Sequence, residues 1–169
     1  MPGKSQLNKN KKSGGYLMIE SMIGISIAII GLLGVLALLS RSMSLNRVIS
    51  NQLIATYLAS EGIEVTKNII DTNFVKRNPW NSGFMNAGNF EVDYSSASLS
   101  SNQNRYILLD KNSGLYSYQG GDLTPFIRTI SVQPINSDEI KIKSTVRWID
   151  RGSANFEIFV EDYFFNWRT

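Results

Sequence analysis

From Tyr16 to Leu39 the chain reads YLMIESMIGISIAIIGLLGVLALL, 24 residues with no Lys, Arg, Asp or Asn and one charge, Glu20. As an α-helix this stretch extends ~36 Å at about 1.5 Å per residue, against a bilayer hydrocarbon core of roughly 30 Å. A secretory signal peptide has a shorter apolar core, about 7–15 residues, with its small residues after it. Here the run is longer and the small residues, Ser13-Gly14-Gly15, come first. The pattern predicts a membrane-spanning helix, with lipid as its first surrounding.

The flanking charges set its orientation. Lys4, Lys9, Lys11 and Lys12 precede the run, whereas Arg41 and Arg47 come after it. That excess holds the N-terminus in the cytoplasm and exports the chain beyond about Ser40. The chain carries 17 Lys+Arg against 14 Asp+Glu, but without the four leader lysines 13 basic residues face 14 acidic ones over 16–169. The basic balance therefore belongs to the leader and gives no support for nucleic-acid binding. There is no cysteine and no histidine. Disulfides, thiolate zinc, a cysteine nucleophile and the commonest general base are excluded together. An exported domain of this composition is held together by its core alone.

No proline lies between Pro2 and Pro79, so the helix is free to continue beyond the membrane. Ile54, Leu58, Val65 and Ile69 fall on one face at roughly 100° per residue. Polar residues, among them Asn51, Ser60, Glu61, Glu64, Thr66 and Lys67, lie between them. The expected helix runs from near Tyr16 to about Ile70 and stops at Asp71–Asn73, with a bend allowed at Gly62. Residues 73–105 read as a long loop anchored by Trp80, Phe84 and Phe90. Strands are expected at Phe90–Tyr94, Tyr106–Leu109, Leu115–Tyr118, Phe126–Gln133, Glu139–Trp148 and Phe156–Phe165. Asp110–Gly114 and Asp150–Asn155 read as hairpin turns. The predicted class is α+β: a long N-terminal helix whose amphipathic half packs on an antiparallel sheet. Its divisions are a leader (1–15), a membrane half (16–40), an amphipathic half (41–72) and a β-domain (73–169).

A carboxylate in a membrane span costs about 2.5 kcal/mol or more at mid-helix and marks function by default. Glu20 is the fifth residue after the Gly14-Gly15 junction between basic leader and apolar helix. Were the chain cut after Gly15, Tyr16 would carry an α-ammonium. Glu20 would then be the one charge available to it in an apolar surrounding, best met between neighbouring subunits. This arrangement resembles the type IV pilin family, including the pseudopilins of type II secretion. Its leader ends in Gly15, an aromatic residue (Tyr16) comes directly after the cut, and Glu20 is fifth, before the apolar run Ser21–Leu39. Tyr16 replaces the more usual Phe or Met, and Leu17 the common Thr.

The resemblance implies cleavage after Gly15 and N-methylation of Tyr16 by a prepilin peptidase. It further implies insertion into a filament by a membrane platform and a cytoplasmic motor ATPase, with other pilin subunits as partners. Residues 52–71 (QLIATYLASEGIEVTKNIID) and the ending around Trp148–Arg151 and Asn166–Arg168 resemble minor pilins of the V type. Gly24, Gly31 and Gly34 would allow close helix–helix approach in the filament core. The location implied is a single-pass membrane precursor, then a cell-surface or periplasmic filament.

Other signals have plainer readings. Asp110-x-Asn112-x-Gly114 lacks the third ligand and distal Glu of a calcium loop and reads as a turn. Glu61 and Glu64, with Lys67, read as a solvated ion-pair face. Arg147 and Arg151 beside Trp148 could contact single-stranded DNA, but core and turn packing explains them more simply. No catalytic set, metal site or cofactor motif emerges. The expected role is structural, and the alternative is a stand-alone membrane-anchored β-domain acting as an adhesin or interaction module.

Overall fold

A computed structural model describes residues 13–150 and 155–167. The leader lysines Lys4, Lys9, Lys11 and Lys12, most of the expected turn at 150–155, and Arg168 lie outside the described residues. The fold is α+β: helix α1 (Ser13–Val75) and then strands β1 (Gly88–Glu91), β2 (Ser100–Ser101), β3 (Tyr106–Leu109), β4 (Tyr116–Ser117), β5 (Asp122–Asn136), β6 (Glu139–Ile149) and β7 (Asn155–Phe165). The contacts fall into two compact units, Met1–Arg47 and Val48–Thr169.

In the first unit the helix is apolar all round, and its side chains are exposed among the described residues. Sixteen large apolar side chains from Tyr16 to Leu39 are each more than half exposed. The hydroxyls of Ser21 and Ser26 donate to the carbonyls of Leu17 and Met22, both at 2.7 Å. The helix thus satisfies its own serines, which a helix crossing a membrane would need to do.

In the second unit all strand pairings are antiparallel. β5 is the axis: β6 lies along one side of it, while β1 and β3 share the other. β2 adds to β1, β4 to β3, and β7 to the far side of β6. Alternation along β6 sends Ile140, Ile142, Ser144, Val146 and Trp148 inward and leaves Lys141, Lys143 and Arg147 on the outer face, as the sequence pattern predicts. Facing them, α1 closes two adjoining apolar clusters. One holds Ile69, Ile70, Trp80, Phe84, Ile130 and Ile142; the other holds Ala55, Leu58, Ala59, Phe126, Val146 and Trp148.

The packed helix face differs from the one expected. Ile54 and Val65 sit at its flanks, half-buried, while the line of contact runs through Ala55, Leu58, Ala59, Gly62, Thr66 and Ile69. Small residues occupy this line because helix and sheet approach closely there. A Cβ on Gly62 would fall inside the contact shell of Ser144 Oγ and 2.8 Å from Ile130 Cδ1. Gly62 is therefore a packing surface and not a hinge. Thr66, expected on the wet side, is fully buried and returns its hydroxyl to the Gly62 carbonyl at 2.7 Å.

The helix also outruns its expected stop. Asp71, Thr72 and Asn73 are helical, and the Asn73 amide donates to the carbonyls of Trp80 (3.2 Å) and Ser82 (2.9 Å), clamping the loop beyond the helix. The end is a Schellman motif: the N–H of Asn78 meets the carbonyl of Asn73 and that of Arg77 meets Phe74. Arg77 takes φ 58° to make it, a left-handed conformation that glycine adopts without steric cost. β1 ends at Glu91 instead of Tyr94, because Asp93 turns the chain: it accepts from the Ser95 amide and from the Ser95 and Ser96 hydroxyls. β2 was not expected. β5 runs past both prolines that bound the expected strand, and the other strands agree to within about a residue.

Two substitutions probe this packing. Arg77→Gly should stabilise the second unit by roughly 1 kcal/mol. Gly62→Ala should destabilise it by about 1–3 kcal/mol despite the gain in helix propensity, because the added methyl has no room. Both are read from the fluorescence of buried Trp80 and Trp148 during urea unfolding of the full chain in lipid nanodiscs.

Candidate functional site

The candidate residues of the N-terminal junction all lie in the first turns of α1. Gly15 is exposed, and Tyr16 is 74% exposed. Glu20 lies one turn further along the same face and is exposed too. Helical side chains lean toward the N-terminus, so the Glu20 carboxylate lies on the side where an α-ammonium at residue 16 would be. Between Tyr16 and Leu39 it is the one ionisable carboxylate. Serine hydroxyls can be satisfied by the helix backbone; a carboxylate cannot, since it needs donors and the interior amides are already engaged. At Gly24, Gly31 and Gly34 a Cβ would meet nothing within 4 Å among the described residues. What the unit offers is an uncovered apolar rod with three shallow notches and one negative charge near its start.

The second site feature was missed in the sequence. Arg128, on the inner face of β5, is completely buried. Its guanidinium donates to the Leu58 carbonyl in α1 (2.8 Å) and to the Val92 carbonyl (2.5 Å), and pairs with Glu61 at 3.3 Å. Glu61 is thus bound to the sheet, correcting the expected solvated ion-pair face. Nearby, Glu91 is buried and accepts from the backbone amides of Gln103 and Arg105 and from Arg105 Nε at 2.8 Å. The Arg105 guanidinium lies 4.6 Å from the Tyr118 ring centre, and the Tyr118 amide donates to Asp93. A signal for Arg128 existed: it falls in the same alternating positions as Phe126, Ile130 and Val132, all inward.

Electrostatics are set by this geometry. Burial alone would raise the Asp93 carboxyl, but hydrogen bonds from Ser95, Tyr118 and Ser96 outweigh it and hold it below its ordinary value. Burial pushes the Tyr118 phenol up. Asp110 is held low by the Asn112 amide and the Ser113 hydroxyl. Its carboxylate closes the β3–β4 turn, in which Gly114 has φ +73°, so the turn reading describes this loop. Trp148 is buried, stacked on Phe156 at 5.4 Å and packed against Phe126. Arg147 is exposed on the opposite face of β6, and both residues border one cleft at that end of the sheet.

No family model, no curated protein and no solved structure matches this chain. What stands without comparison is an α+β chain bearing one N-terminal helix long and apolar enough to cross a membrane.

Arg128→Ala should cost about 3–5 kcal/mol, since it orphans the Val92 carbonyl and strips Glu61 of its partner. Glu61→Gln should cost about 1 kcal/mol, because Glu61 reaches water. Asp93 contributes stability that is complete above the ordinary Asp value of about 4 and is lost as pH falls through its lower folded value. Asp93→Asn should flatten that part of the acid limb in unfolding curves recorded from about pH 7 to about pH 2.

Proposed function

We propose that this chain is a structural subunit, of the minor pilin or pseudopilin kind, in a type IV pilus-like or type II secretion filament. It is made as a membrane precursor with its N-terminus in the cytoplasm, cut after Gly15 and N-methylated at Tyr16 by a prepilin peptidase. A membrane platform and motor ATPase then draw it into a filament with other pilin subunits. The observation that carries this reading is Glu20, a lone carboxylate one helical turn beyond Tyr16 on a rod whose apolar side chains are all uncovered.

The chemistry divides by segment. Lipid covers residues 16–40 before assembly, and neighbouring helices cover them afterwards. Replacing lipid by helices gains little hydrophobic energy, so packing at Gly24, Gly31 and Gly34 and one charge pair supply the preference. Glu20 meets the α-ammonium of Tyr16 on an adjoining subunit, and a misplaced subunit leaves both charges stranded in an apolar medium. Identical head-to-tail contacts then propagate as an open helix. The globular unit forms the exposed surface.

Two measurements test this. The protein recovered from membranes or sheared fibres should begin at Tyr16 and carry one added methyl; intact residues 1–15 would favour the stand-alone anchored domain. Glu20→Ala should still be cleaved yet be absent from fibres, and normal incorporation would refute the docking role.

A further inference from the structure

On the outer face of the sheet, away from α1, a polar cleft of about 320 Å³ opens where β1 and β3 diverge along β5. Thr129 lines it. This residue is only 8% exposed, and its Oγ1 meets no hydrogen-bond partner among the described residues. A buried hydroxyl with nothing to bond costs about 1–3 kcal/mol, so an unspent hydroxyl on a residue of the cleft wall points to a ligand. Across β6 and β7 the walls are Thr145, beside Thr129 in register, and the cross-strand pair Arg147 and Glu157.

Amides complete the wall. Asn104 holds φ 54°, and its Oδ1 accepts from Arg147 Nη2 at 3.3 Å and from Asn102 Nδ2 at 3.4 Å. Asn89 Oδ1 accepts from Ser131 Oγ at 2.7 Å. Two carboxamide oxygens are therefore engaged inside the protein, and the amides offer mainly donor hydrogens. An adjoining cleft of about 660 Å³ shares Asn104, Arg147 and Glu157 and adds Tyr106, 45% exposed, as an aromatic wall.

We infer that this face binds a neutral, hydroxyl-rich ligand, an oligosaccharide. Each sugar hydroxyl both donates and accepts, which suits a lining that mixes a carboxylate, a guanidinium, amides and threonine hydroxyls. The apolar face of a pyranose ring suits Tyr106. The charges balance, one Arg147 against one Glu157, so a phosphate or sulfate would meet a carboxylate as well as a cation. A peptide adding as a strand would use a sheet edge, whereas this cleft lies on a sheet face.

The test uses the full chain in lipid nanodiscs free of glycoside detergents. Saturation-transfer NMR is recorded with maltohexaose, cellohexaose and N-acetylchitohexaose, and with a heparin hexasaccharide as the anionic control. The expected result is transfer to at least one neutral sugar, with affinity weakened about fivefold or more by Thr129→Val. That change keeps the volume and removes the hydroxyl. Glu157→Gln, at an exposed site, should weaken binding similarly and guards against a folding defect in the first variant. Absence of transfer to all three neutral sugars overturns the inference. So does binding of the heparin fragment alone, or unchanged affinity in both variants.

Discussion

The helix-and-sheet unit depends on one buried cation. Arg128 is wholly out of water, and a guanidinium in that position needs partners for its charge. Its two terminal nitrogens meet a carbonyl of the helix, a carbonyl of the segment after β1 and the carboxylate of Glu61, while Nε has no hydrogen-bond partner among the described residues. Two pieces of chain far apart in sequence, the helix and the segment after β1, are thereby held to one strand. The apolar clusters on either side supply most of the burial energy but would accept sliding of helix against sheet. A directional, desolvated charge does not accept it, and it fixes which turn of α1 lies over β5. Gly62 belongs to the same constraint, since its missing side chain lets the helix backbone come near enough for the guanidinium to reach.

The sequence made some of this legible and hid the rest. The apolar rod and β6 could be read because each repeats a single period, and repetition averages out exceptions. The packed face of α1 was misplaced because large side chains dominate any hydrophobic pattern. The contact instead runs along small ones, Ala55, Ala59 and Gly62, which carry little hydrophobic signal but permit close approach. The helix end was set too early for a related reason. Asp71, Thr72 and Asn73 have turn chemistry, but Asn73 uses it on the loop beyond, while an arginine adopts the conformation that ends the helix. Such an assignment depends on tertiary partners that a local window does not contain.

At the candidate site the position is different. Spacing and charge single out Gly15, Tyr16 and Glu20 as candidates, and the fold places them, all exposed, in the first turns of α1. The role proposed for them rests on chemistry between chains, to which a single chain contributes one half. The polar cleft on the outer sheet face was not legible. Asn89, Asn104, Thr129 and Arg147 come from separate strands and loops, and no spacing rule joins them.

β7 runs eleven residues along the sheet's far side with β6 as its one strand partner among the described residues. An edge of that length, bearing Phe159 and Tyr163, is a template on which other chains could polymerise in the wrong way. It also carries Glu157, Glu161 and Asp162, and although Glu161 pairs with Lys141 at 3.1 Å, two such edges brought together bring six carboxylates into one ribbon. Like charges facing each other across a ribbon disfavour that pairing, so the acidic edge guards the sheet against strand-to-strand association.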